Sequence, residues 1–175
     1  MSNTAELMSK GLRKLTSASG GLGLKAVAIG AIAHQAWGAK REATGLDVLI
    51  ASGPEQRESL LSAARGEGFQ QSPENPLRLR YTDAKLAATV TVDITETSTP
   101  FHSQVIARAQ RAPILSLEML VASCEDLILL GADRAVLVEL LRHNAGRIDG
   151  AYLKREAERA GVFDEVKLAW QQARQ

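Results

Sequence analysis

An α/β fold, built as a small mixed β-sheet flanked by helices with a helical C-terminal part, is the architecture that the sequence predicts. Helical and strand patterns alternate through residues 1–115, whereas helical apolar spacing broken by glycines fills residues 116–175. The composition, 45% hydrophobic and 23% charged, is typical of soluble globular proteins. A length of 175 residues suits one domain, 1–175.

The first elements alternate between helix and strand. Apolar residues at helical spacing predict a helix over 3–16, and the glycine-rich segment 17–23 predicts a loop. The apolar run 25–29 fits either a buried strand or the start of a helix. Small residues over 30–37 then predict a closely packed helix, which ends at Gly38.

Two later stretches, 77–82 and 88–95, have the alternation or the β-branched content of strands. Asp83-Ala84-Lys85 lies between them and predicts antiparallel pairing. The other elements of this half are a strand at 46–52, a helix that Pro54 opens and that runs to residue 68, a helix at 101–110 and a short strand at 113–115.

Helices are predicted from residue 117 to the C-terminus, with Ser116 and Asp149 as N-caps. They span 117–130, 133–142, 149–160 and 164–173. Phe163, Val166 and Trp170 lie on one face of the last helix. That face packs on the domain, on a protein partner or on a second copy in a homodimer.

Charge and cysteine content narrow the class of protein. The net charge of +1 gives no strong nucleic-acid signal, although it leaves room for a local basic patch. No apolar run approaches the roughly 18 residues of a membrane span. Cys124 is the single cysteine and fits a reducing compartment, and the N-terminus lacks the apolar core of a signal peptide. We therefore expect a cytoplasmic protein.

Two strands carry an acidic residue among apolar or β-branched neighbours: Asp47 on the first and Asp93 on the second. Two such strands can bring their acids together. Burying a carboxylate without a partner is costly, so each acid needs a metal ion or a cationic side chain beside it.

Short motifs surround these acids. Gly30-Ala31 begins a helix, Gly38 ends it, Arg41 follows, Gly45-Leu46-Asp47-Val48 enters a strand, and Asp93 lies on a later strand. Further motifs are Ala107-Arg108-Ala109, residues 113–120, residues 133–141 and Asp149-Gly150-Ala151-Tyr152-Leu153. In this order the motifs resemble the nucleotidyltransferase superfamily, in particular its small bacterial AbiEii toxin-like branch.

The resemblance implies a site in which an Asp-x-Asp pair and a third acid hold two magnesium ions, while a glycine-started helix faces a nucleoside triphosphate. Asp47 and Asp93 are then the candidate catalytic and metal-binding residues. The candidate nucleotide-binding residues are Gly30, Ala31, Arg41 and Thr44. The implied cofactor is Mg²⁺, and the implied substrate or ligand is a nucleoside triphosphate.

The sequence departs from the family pattern at three places. Gly45 stands where the first acid of the pair is expected, Ala31 supplies no serine hydroxyl, and no lysine occurs between Lys85 and Lys154. Thr44 or Glu42 could replace the missing acid only through a bulge or turn, because adjacent strand residues point to opposite faces.

Each candidate residue also has a structural interpretation. In this interpretation, Gly30 serves close helix–strand packing. Asp47 and Asp93 are then salt-bridged or solvent-facing acids, and Arg41 is a surface residue or a partner for Asp47. The resulting hypothesis is a divergent nucleotidyltransferase-fold protein with weakened or lost transfer of a nucleoside monophosphate; if active, it is a metal-dependent nucleotidyltransferase. The alternative is a non-catalytic nucleotide- or partner-binding module, linked to a toxin–antitoxin system.

Overall fold

A computed structural model describes residues 3–175. The helices in this range are α1 (Asn3–Gly21), α2 (Gly30–Ala36), α3 (Pro54–Gly66), α4 (Pro100–Arg108), α5 (Cys124–Leu130), α6 (Arg134–Asn144), α7 (Gly150–Ala160) and α8 (Phe163–Ala173). The strands are β1 (Ala26–Ile29), β2 (Leu46–Ile50), β3 (Phe69–Gln71), β4 (Arg78–Asp83), β5 (Ala88–Glu96), β6 (Gln110–Ile114) and β7 (Leu117–Val121).

The strands form one sheet in the order β3-β4-β5-β2-β1-β7-β6. The pairs β2–β5 and β1–β7 are parallel, and the remaining pairs are antiparallel. The predicted mixed sheet flanked by helices is therefore confirmed, as is the antiparallel pairing of the two strands now numbered β4 and β5.

Helix α1 covers one face of the sheet. Gly11 permits this close approach, because a Cβ at Gly11 would lie 3.2 Å from Val90 Cγ1 and 3.5 Å from Leu46 Cδ1. Side chains alternate between the faces of a strand, so the residues next to Leu46 and Val92 point away from α1. Asp47 and Asp93 occupy these positions and lie on the opposite face.

The C-terminal helices pack on one another through buried aliphatic side chains. Helix α8 lies against α6 and α7, and its residues Val166 and Ala169 are buried there. Asp149 caps α7, since its Oδ1 accepts a hydrogen bond of 2.9 Å from the Tyr152 backbone N–H. The predicted N-cap at Asp149 is therefore confirmed. None of the helices in residues 3–175 combines the length and apolar composition that a bilayer crossing requires.

The predicted helix over 117–130 is wrong in its first part, where the chain forms strand β7. Leu115 and Ser116 have φ angles of 48° and 67°, and they form the two-residue turn that joins β6 to β7, with Ile114 opposite Leu117. Ser116 is thus a turn residue. The N-cap of α5 is Ser123, whose side chain accepts a hydrogen bond from the Asp126 backbone N–H. The sheet consequently extends into the segment 116–175 that the sequence predicts to be helical.

Two other local predictions also change. Helix α1 continues to Gly21 through part of the segment predicted as a loop, because Ala18 and Ser19 are buried against the domain. Strand β3 was not predicted; it is three residues long and pairs with β4 at the sheet edge. The ambiguous run 25–29 forms strand β1, and Gly38 ends the helical turn after α2 with a φ of +90°.

Candidate functional site

Asp47 and Asp93, the two acids singled out by the sequence, lie side by side on neighbouring strands. Their Cα atoms are register partners in the parallel pair β2–β5. Adjacent strands are about 4.8 Å apart, so both carboxylates lie in one small area of the sheet face opposite α1. The structure therefore brings together the two acids expected to share a site.

The carboxylate of Asp47 packs against the start of helix α2. Gly30 has a φ of +63°, and a Cβ at that position would lie only 2.7 Å from Asp47 Cγ and 2.8 Å from Asp47 Cβ. The Ala31 backbone N–H donates a hydrogen bond to the Asp47 carboxylate. Glycine is thus required at position 30 by the fit of the helix against the acid, and the N–H of Ala31 already has an acceptor.

Burial is the largest influence on the pKa of Asp47 and raises it above the usual range, and the nearby charge of Asp93 raises it further. The Ala31 N–H and the positive charges of Arg41 and Arg78 oppose this shift. The site therefore holds Asp47 in surroundings that disfavour its ionised form.

Asp93 has an arginine partner that the sequence analysis did not identify. Arg78 lies opposite Asp93 in the antiparallel pair β4–β5, and its Nε and Nη2 lie 2.7 Å and 3.3 Å from Oδ1 and Oδ2. Such a two-point contact fixes the carboxylate in position. The predicted hairpin contained part of the signal, since it placed the two strands side by side; once the structure pairs Asp83 with Ala88, counting along both strands puts Arg78 opposite Asp93.

Arg41 forms its ion pair with a residue of the helical part. Its Nη1 lies 3.2 Å from Asp133 Oδ2, and both side chains are exposed. The side-chain amide of Gln35 donates a hydrogen bond to the Arg41 carbonyl oxygen. The ion-pair partner of Arg41 is therefore Asp133 and not Asp47, although its charge still lowers the pKa of Asp47.

The segment before β2 does not replace the missing acid. A Cβ at Gly45 would lie 3.1 Å from the Thr91 carbonyl oxygen, and Thr44 is exposed. Residues 42–44 lie before the first pair of the β2–β5 register, Leu46 with Val92, in an irregular segment. Within residues 3–175, no three or more His, Cys, Asp or Glu side chains group as a metal ion would need. The residues at this site do not fit a two-metal centre.

The motif 149–153 has a structural role in this fold. Asp126 is fully buried and accepts hydrogen bonds from Ser123 Oγ at 2.8 Å and from the Tyr152 hydroxyl at 2.5 Å. The Nε of Arg108 lies 3.4 Å from the same carboxylate, and its guanidinium stacks on the Tyr152 ring. This network joins α4, α5 and α7.

Cys124 is a buried thiol of the core. Burial raises its pKa to about 12, so the thiol is not a nucleophile at neutral pH.

Comparisons with known proteins bear on the fold. No protein-family model matches the sequence, and the comparison with curated proteins gives no significant match. An antigenic nucleotidyltransferase-like protein from Paracoccidioides brasiliensis has a similar structure, with a TM-score of 0.61 at 10% identity over 93% of this chain and 92% of that one.

Two structures of the antibiotic-resistance factor ANT(2'')-Ia are less similar. A solution structure gives a TM-score of 0.49 at 14% identity, over 94% of this chain and 89% of that one. A crystal structure of the complex with adenylyl-2''-tobramycin gives 0.48 at 14% identity, over 93% and 94%. The first similarity, with the seven-stranded mixed sheet and its flanking helices, shows that this chain has a nucleotidyltransferase-like fold.

Proposed function

We propose that this chain is a divergent nucleotidyltransferase-fold protein in which the transfer of a nucleoside monophosphate from a triphosphate to an acceptor is weakened or lost. The salt bridge between Arg78 and Asp93 is the observation that carries the proposal. It lies beside Asp47, on the sheet face where the resemblance implies a metal site.

Two-metal transfer needs carboxylates that are free to bind cations and neutralise charge on the triphosphate. Gly45 contributes no carboxylate, and both oxygens of Asp93 are engaged by the guanidinium of Arg78. Of the three positions where the family pattern has acids, only position 47 therefore has a carboxylate without an ion pair within residues 3–175. One free carboxylate is too few to hold the two metal ions of two-metal transfer, which argues for loss of the reaction.

The proposal is tested by calorimetric titration of the protein with Mg²⁺ and a panel of nucleoside triphosphates, using the native chain and Asp47→Ala. We expect no magnesium-dependent binding to either protein at millimolar nucleotide. Magnesium-dependent binding that disappears in Asp47→Ala would contradict loss of the site and would support an active enzyme.

The finer proposal is that the chain belongs to the AbiEii toxin-like branch and acts in the bacterial cytoplasm as a nucleotide- or partner-binding module of a toxin–antitoxin system. Its support is the resemblance at Gly38, Arg41 and the motif 149–153. Inducing the chain in a bacterial host and recording growth tests it. Unchanged growth is expected for a module without transfer activity, whereas arrest that Asp47→Ala relieves would indicate a catalytic toxin.

A further inference from the structure

A groove of about 370 Å³ separates α7 from α8, far along the chain from Asp47 and Asp93. Leu153 and Val166 are buried beneath it, and the half-buried rings of Phe163 and Trp170 line it. Phe163, Val166 and Trp170 form the apolar stripe that the sequence places on one face of the last helix. Val166 is covered by the domain, whereas the two rings remain available to a ligand.

The charged side chains that line this groove are all cationic. Lys154, Lys167 and Arg174 line it, and no carboxylate among the described residues contributes to its lining. The Nζ of Lys154 lies 5.9 Å from the centre of the Phe163 ring, and the Cζ of Arg174 lies 5.9 Å from the centre of the Trp170 ring. The groove thus combines aromatic surface with a cationic rim.

Two of these cations have no anionic partner in the part of the chain that the structure describes. Across residues 3–175, Lys167 and Arg174 form no ion pair, and Lys154 reaches only the exposed Glu158, at 3.9 Å. The acidic residues at the start of α8, Asp164 and Glu165, do not line the groove. The rim therefore presents positive charge that an anionic ligand could neutralise.

We propose that this groove binds a small aromatic carboxylate. The flat apolar body would pack against Phe163 and Trp170, and the carboxylate would meet Lys167 and Arg174 at the rim. The volume lies in the range of small-molecule sites, roughly 300–1,000 Å³, which favours a small molecule over a helix of another protein. A second copy of the chain is disfavoured, because two cationic rims would face each other. The inference is independent of the function proposed for the Asp47–Asp93 site.

The test uses the full chain and two probes that differ only in charge, 2-naphthoate and 2-naphthamide, followed by calorimetry. We expect 2-naphthoate to bind about tenfold more tightly than the neutral amide, since only the carboxylate gains from the cations. Lys167→Gln should weaken 2-naphthoate roughly threefold to fivefold and leave the amide unchanged. The matched control is Lys25→Gln, an exposed lysine outside the groove.

A second pair of variants tests the aromatic wall. Trp170→Ala should weaken both probes, whereas Leu168→Ala, which truncates an exposed side chain of the same helix outside the groove, should weaken neither. Circular dichroism confirms that each variant is folded. Equal affinity for both probes, no binding of either, or equal effects of Lys167→Gln and Lys25→Gln would overturn the proposal.

Two other occupants are distinguished in the same preparation. Sedimentation that shows a dimer lost in Trp170→Ala would assign the groove to a second copy. Tighter binding of an acidic peptide with one tryptophan than of 2-naphthoate would assign it to a protein partner. Either result would contradict the small-molecule proposal, and a monomer that prefers 2-naphthoate supports it.

Discussion

Arg78 and Asp93 lie opposite each other in the β4–β5 hairpin and are joined by two hydrogen bonds, of 2.7 Å and 3.3 Å. The guanidinium also places a positive charge near Asp47, which lowers the pKa of that carboxyl. Both side chains are partly exposed, at 49% and 39%, so the pair contributes little to stability. The effect of the pair is electrostatic and is limited to the carboxylates of Asp47 and Asp93.

The first prediction concerns the charge of Arg78. Replacing it by glutamine should raise the pKa of Asp47 further, because the guanidinium lowers that pKa and also compensates the negative charge of Asp93. Carboxyl-carbon chemical shifts followed by NMR through an acid titration measure the change. Arg80→Gln is the matched control: Arg80 lies two residues along the same strand, is exposed and has no ion pair among the described residues. Equal shifts in both variants would argue against a specific role for Arg78.

The second prediction follows from the direction of the Asp47 shift. A folded-state pKa above the unfolded value means that the folded protein holds the proton more tightly, so ionised Asp47 costs stability at neutral pH and protonation relieves that cost. Asp47→Asn keeps an acceptor for the Ala31 N–H. It should raise Tm at about pH 7, and the gain should shrink as the pH falls through the folded-state pKa of Asp47. Thermal unfolding across that range checks this, and a lower Tm for Asp47→Asn at about pH 7 would contradict it.

The third prediction separates the packing of Gly30 from any role toward a ligand. Gly30→Ala should destabilise the fold by about 2 to 4 kcal/mol, because it adds a left-handed backbone penalty to a collision with Asp47. Gly20→Ala, near the end of α1, places its methyl group in open space and should change stability by no more than about 1 kcal/mol. Urea unfolding of both variants measures the difference. Equal stabilities would show that α2 can shift to accommodate a side chain at position 30.

The fourth prediction concerns the buried network around Asp126. Tyr152→Phe removes a hydroxyl that donates to a fully buried carboxylate and should cost about 1 to 3 kcal/mol of unfolding free energy. Tyr81→Phe removes the same atom from a ring whose hydroxyl has no hydrogen bond among the described residues, and should be close to neutral. If thermal unfolding gives the two variants the same Tm, the hydrogen bond from the Tyr152 hydroxyl to Asp126 does not stabilise the packing of α7 on α5.

Much of the fold was predictable because the apolar patterns agree with what the sheet and helices bury. Strand β7 was not, because its turn has no sequence signal: Leu115 and Ser116 adopt the positive φ angles that asparagine and glycine usually signal. Without that signal, the apolar residues of β7 merge with those of α5 into what reads as one helix. The extension of α1 to Gly21 was missed because tertiary burial of Ala18 and Ser19 outweighs the local preference of the glycines.

The site shows a different limit. The sequence placed Asp47 and Asp93 on two strands, and the parallel pairing of β2 with β5 puts them side by side. The hairpin register of β4 and β5 determines the partner of Asp93. The partner of Arg41 could not be found in this way. Asp133 is the N-cap residue of α6, and tertiary packing alone brings it close to Arg41. Contacts within a hairpin follow once its turn is placed, whereas the contact between Arg41 and Asp133 depends on tertiary packing.

The central claim is that Gly45 and Arg78 leave the site without the carboxylates that Mg²⁺ would need. A magnesium titration of the double variant Gly45→Asp/Arg78→Gln tests this claim most directly. The double variant restores an acid two residues before Asp47 and frees Asp93, although the side chain added at position 45 must displace the Thr91 carbonyl slightly. We predict that the double variant gains calorimetric Mg²⁺ binding, that adding Asp47→Ala removes the gain, and that the native chain shows no binding. Binding of Mg²⁺ by the native chain as tightly as by the double variant would contradict the account.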